Sequence, residues 1–161
     1  MFGFIRDWWQ KQERIVYIRI RNNKIAFYHY PQGIHYTDDA VLAIKKKKND
    51  FQVTAVGKAV YALKDDDRSV GHEPFNPFTY ENPENFNLAE ILIRTLLTSA
   101  PGVKQSLVSP RIIIHPDKTY ISETEEEAYK ELALSAGARE AVVYVGDKLK
   151  PEEFEQVLNG A

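Results

Sequence analysis

Ile15 to Lys24 reads Ile-Val-Tyr-Ile-Arg-Ile-Arg-Asn-Asn-Lys, and its alternation decides how the rest of the chain is read. Val16, Ile18 and Ile20 alternate with Tyr17, Arg19 and Arg21, so a strand here buries one face and presents cations on the other. Asn22-Asn23 tolerates the positive φ that a two-residue hairpin loop requires, and Ile25 to Tyr30 resumes as an apolar, aromatic return strand. The hairpin is built like one that binds phosphate, yet it contains no carboxylate and no glycine.

The strand-rich texture continues to residue 63. Ala40 to Ile44 and Phe51 to Val56 flank a charged turn, Lys45-Lys46-Lys47-Lys48-Asn49-Asp50, and Lys58 to Leu63 predicts a helical turn or two after Gly57. The lysines read as a turn that keeps two apolar strands soluble, because no aromatic platform is interleaved with them. Residues 64 to 85, with a charged run from Lys64 to Arg68 and with Pro74, Pro77 and Pro83, predict a loop without regular structure. Asp65-Asp66-Asp67 diverge as consecutive side chains and predict solvated loop, with no metal site. From Asn87 the pattern turns helical. Leu88, Ile91, Leu92, Thr95 and Leu96 share a face, capped by Asn85 or Asn87 and ended before Pro101-Gly102. Arg111 to Ile114 predicts a short buried strand, and Ser122-Glu-Thr-Glu125 opens a helix with a capping box that stops at Gly137. Ala141 to Val145 predicts another buried strand, and Pro151 to Leu158 a last helix.

At 161 residues and 43% hydrophobic content, the chain suits one domain with a sizeable core, residues 15 to 161, carrying a loop insertion at about 64 to 85. A net charge of −2 gives no global field for nucleic acid, and zero cysteines remove thiolate metal sites and cysteine nucleophiles. The expected location is cytoplasmic, without a membrane span or signal peptide. Residues 1 to 14 read as an amphipathic leader. Met1, Ile5, Trp8, Trp9 and Gln12 fall near one another at helical spacing, so Phe2, Ile5, Trp8 and Trp9 are candidates to contact a partner or the inner face of a membrane, or to cover an open edge of the fold.

The predicted order is an antiparallel β meander followed by α-β-α-β-α, a mixed-sheet α/β arrangement of the ribonuclease-H-like kind shared by actin-like ATPases, sugar kinases and several nucleases. Five runs then reach a family. Gln32-Gly33-Ile34, Asp38-Asp39-Ala40-Val41-Leu42-Ala43-Ile44, Ala55-Val56-Gly57-Lys58, Pro110-Arg111-Ile112 and Ser135-Ala136-Gly137-Ala138-Arg139-Glu140 resemble, in order and spacing, MreB, the bacterial actin homologue that determines rod shape. The resemblance covers nearly the whole chain but only the N-terminal half of the family.

The family's first hairpin reads Asp-x-Gly-Thr, where the acid organises Mg²⁺ and its water and the glycine admits phosphate to the backbone. The resemblance puts Arg19 at the Asp position and Arg21 at the Gly position, and Val145, Gly146 and Asp147 where the family has its catalytic Glu-Glu-Pro. It therefore implies that the ATPase chemistry is lost and that no metal or cofactor is held in the family's way. Arg19 also opposes a two-metal nuclease site. His29, His35, His72 and His115 lack metal-ligand spacing, and His115-Pro-Asp117 lacks a serine nucleophile motif, so no catalytic residue is assigned.

Two readings of the arginines stay open. With Asn22 and Lys24 they form an anion or nucleotide site that needs no metal, or they pair with acids such as Asp147 or Glu123. The leading expectation is a non-catalytic MreB-like half-molecule, an interaction module whose protein partner is MreB or another cell-shape component. The alternatives are a metal-independent anion sensor and a peripheral membrane protein.

Overall fold

The computed structural model describes residues 14–63, 73–75, 83–99, 102–103 and 109–160. Its centre is a five-stranded sheet in the order β3-β2-β1-β7-β8. Strand β1 (Ile15–Arg21) pairs antiparallel with β2 (Lys24–Tyr30), which pairs antiparallel with β3 (Ile34–Asp39). On its other side β1 runs parallel to β7 (Arg111–His115), and β7 runs parallel to β8 (Glu140–Val143). The Asn22-Asn23 turn takes φ of 52° and 61°, as the loop reading required.

Alternation divides this sheet into two faces. Val16, Ile18, Ile20, Ile25, Phe27, Ile112 and Ile114 point into the larger core, under α1 (Pro83–Leu97) and α2 (Glu123–Ser135). Ile15, Tyr17 and Ile113 point the other way, against Leu149, Phe154 and Leu158. Phe154 and Leu158 belong to α3 (Phe154–Asn159), a short helix preceded by a 3-10 turn at Pro151–Glu153. Strand β7, between β1 and β8, is buried along its whole length because both of its faces are covered.

A second, three-stranded antiparallel sheet has the order β5-β4-β6, with β4 Leu42–Lys47, β5 Asp50–Val56 and β6 Glu73–Phe75. The chain passes to it after Asp39, where β3 ends. The Asp38 carboxylate accepts the Asp39 and Lys58 amides, each at 2.7 Å, and lies so close to Gly57 that a β-carbon there would meet it at 2.6 Å. Gly57 also has φ of 67°, so the position needs glycine on both counts.

Ser122 caps α2, accepting the Glu125 amide at 3.1 Å. The helix closes with Gly137 donating to Leu134 and Ala138 donating to Ala133, each at 3.1 Å, a Schellman closure on the expected glycine.

Several elements differ from the sequence reading. Lys45, Lys46 and Lys47 lie in β4, not in the turn, which narrows to Lys48-Asn49. Backbone pairing of Lys47 with Asp50 extends the hairpin without apolar side chains. The stretch 64 to 85 includes β6 and the start of α1, while its other residues lie outside the described ones. Helix α1 begins at Pro83, whose missing amide costs nothing in a first turn. Asn85 and Asn87 therefore sit inside the helix rather than capping it, with Asn85 buried. The expected last helix divides into the 3-10 turn and α3, and β8 ends at Val143 rather than Val145.

Candidate functional site: a cationic cleft at the strand ends

β1, β7 and β8 end on the same side of the sheet, and their following loops enclose a cleft of about 690 Å³. Open α/β sheets place ligands in such crevices, outside the carboxyl ends of parallel strands. Arg19 and Arg21 come from β1, Lys118 and Tyr120 from the loop after β7, and Gly146, Asp147 and Lys148 from the loop after β8. Arg19 and His115 are register partners across the parallel pair.

The floor is ordered by a Tyr–His pair. Tyr17 Oη lies 2.6 Å from His115 Nδ1 and accepts the Leu149 amide at 3.3 Å. Burial depresses the His115 pKa; the nearby Arg19 and Arg21 push the same way, against the Gly146 backbone hydrogen bond and Asp117. Burial likewise raises the Tyr17 pKa. Both groups thus stay uncharged beneath the cations, and the Leu149 bond ties the β8 loop to β1.

Of the four residues named as an anion site, Arg19 and Arg21 line the cleft, Arg19 half-buried and Arg21 exposed. Asn22 occupies the exposed hairpin turn. Lys24 is paired across the sheet with Asp39 and lies outside the cleft lining. Among the described residues no ion pair joins Arg19 or Arg21 to Asp147, Glu123 or any other acid. Phe2, Ile5, Trp8 and Trp9 lie outside the described residues.

Sequence reasoning missed Lys118, Lys148 and Tyr120, the last 80% exposed at the rim. Each follows a predicted strand by a few residues, a position that the parallel order turns into a shared cleft. It also missed Arg111. This buried guanidinium reaches Glu140 at 3.1 Å, Glu155 at 3.3 Å and Asn159 at 3.3 Å, and so fixes α3 to the entrance of β7 and β8.

The cleft lining offers Asp117 and Asp147 beside Arg19, Arg21, Lys118 and Lys148, and among the described residues no three His, Asp or Glu side chains group as metal donors.

These features define the class of fold: a mixed sheet with a ligand-sized crevice at its parallel strand ends, as in actin-like ATPase domains. No protein-family model and no curated protein matches the sequence. Solved structures match its fold. MreB5 of Spiroplasma citri bound to AMPPNP superposes with a TM-score of 0.65 at 18% identity, covering 83% of this chain and 38% of that one. A non-polymerising mutant of MamK bound to AMPPNP gives 0.62 at 12% identity, covering 83% and 41%. The MamK double helical filament gives 0.59 at 13% identity. The chain has the fold of part of an actin-like protein, and it spans less than half the length of these neighbours.

Among the described residues no helix is long and apolar enough to cross a membrane.

Proposed function

We propose that the chain is a non-catalytic MreB-like half-molecule, an interaction module of the bacterial cytoskeleton or cell-shape machinery that binds protein and does not hydrolyse ATP. The observation that carries this reading is the cleft itself. Arg19 and Arg21 stand at the positions where the resemblance calls for Asp and Gly, with two lysines added around them. A cation at the metal-organising position repels Mg²⁺, and Arg21 places a side chain where glycine admits phosphate to the backbone. The fold survives beside the altered chemistry, and one neighbour with that fold is a double helical filament. Actin-like protomers associate through several faces, so a partial protomer can join a filament end without supporting the next addition. The test is cosedimentation of the intact chain with MreB filaments: the chain enters the pellet and shortens the filaments. Recovery wholly in the supernatant, with filament length unchanged, rejects the reading.

A second reading rests on Arg19 and Arg21 having no ion pair among the described residues. Guanidinium binds phosphate bidentately without a metal, so the cleft would sense an anion. Calorimetric titration with ATP, ADP and phosphate in the presence of a chelator gives binding heats on this reading, and heats equal to dilution remove it. The leader residues Phe2, Ile5, Trp8 and Trp9 remain a proposed membrane or partner contact at the inner face of the membrane, tested by liposome flotation with and without residues 1 to 10.

A further inference from the structure

The face that carries Tyr17 is covered over only part of its width. Beyond α3 lies a groove of about 630 Å³, crossing β1, β2 and β3. Its floor is the Tyr28 ring, stacked on His35 at 6.1 Å and met edge-on by Phe154 at 5.7 Å. Leu149, Lys150 and Pro151 form one wall.

Charge marks the groove as strongly as shape does. Arg19, Lys148 and Lys150 line it and, among the described residues, no Asp or Glu does, in a protein whose net charge is −2. Arg19 and Lys148 also line the strand-end cleft, so the two depressions adjoin. Three strands spaced about 4.8 Å apart give a floor close to the 10 Å diameter of an α-helix.

We propose that this trough docks an acidic amphipathic helix of a partner protein. Its apolar side lies on Tyr28 and Pro151, and its carboxylates meet Arg19, Lys148 and Lys150. Apolar contact holds the helix, and the cations select its charge. The proposal rests on the protein-binding reading above but requires no cytoskeletal partner.

The test uses the intact, isotope-labelled chain and two synthetic helical peptides with the same Leu/Phe face, one with Glu and one with Lys on the polar side. The acidic peptide shifts the Tyr28, His35, Thr37 and Leu149 amides and binds about tenfold more tightly than the basic one. Combining Lys148→Glu with Lys150→Glu weakens the acidic peptide about tenfold, while Lys130→Glu on the helix-covered side leaves it unchanged. Circular dichroism confirms that each variant is folded. Equal affinity for both peptides, or no shifts, overturns the proposal. So does a change at the same amides in the peptide-free Trp8→Ser, Trp9→Ser variant, which would show the groove filled by the chain's own leader. Flotation on phosphatidylglycerol vesicles that the double charge reversal abolishes, without peptide shifts, overturns it in favour of a lipid surface. A chain that pellets with filaments yet ignores the peptide loses this site and keeps the proposed function; one that binds the peptide and never pellets keeps the site alone.

Discussion

The two faces of the five-stranded sheet use alternate residues of the same strands, yet they are finished differently. Under α1 and α2 the contacts are mostly aliphatic and closed, with Ile18, Leu92, Ile93, Ile112 and Ile114 fully buried. The opposite face is aromatic and cationic, and α3 covers only part of it. Each face contains a Tyr–His pair, and the pairs show the difference. His29 Nε2 donates to Tyr36 Oη at 3.1 Å, and Tyr36 donates to the Leu96 carbonyl at 2.6 Å, locking the outer strands to the end of α1. Tyr17 and His115 instead hold a loop that brings Lys148 to a cleft. One face secures the fold, and the other holds out Arg19, Arg21 and Lys148, which make no ion pair among the described residues.

The sharpest break of this contrast is Ile18→Ala, expected to cost about 2–5 kcal/mol in chemical denaturation, since closed aliphatic packing cannot collapse around the lost atoms. A loss below that range would mean the helix-covered face is not the stabilising one. Acid comes next. Burial, with Arg14 nearby, holds the His29 pKa down to about 4, below its unfolded value of 6.5. The unfolded chain therefore takes up a proton that the folded chain refuses; stability is full above pH 6.5 and is lost as pH falls through about 4. His115 has the same sign. Stability measured across this window falls in the native chain and falls less in His29→Gln.

Arg111→Met removes two hydrogen bonds that pin α3 and a third to Glu140 of β8. It is expected to cost about 1–3 kcal/mol, with faster amide exchange across 149–159. Tyr17→Phe costs about 1 kcal/mol and exposes the Leu149 amide to exchange, leaving the His29 side untouched. Arg21→Ala has the smallest effect on stability, within about 0.5 kcal/mol at this exposed position, and it removes whatever phosphate binding the titration detects.

Local patterns made the framework legible. The β1 alternation, the Asn22-Asn23 turn, the Ser122 cap and the Gly137 stop each depend on a few neighbouring residues, and each lies where the sequence put it. Lys45 to Lys47 were misplaced because pairing with β5 is made by backbone, which side-chain character does not report. The site was half legible for a related reason. Arg19 and Arg21 sit on one strand, but Lys118 and Lys148 join them only through the parallel register of β1, β7 and β8. Arg111 finds Glu155 across 44 positions of sequence. No periodicity encodes such a contact.

The most direct test of the division between faces is amide hydrogen exchange of the intact chain, alone and mixed with MreB filaments. Added protection at 26–37 and 144–151, with α1 and α2 unchanged, is the predicted result. Protection confined to α1 and α2, or none anywhere, contradicts it.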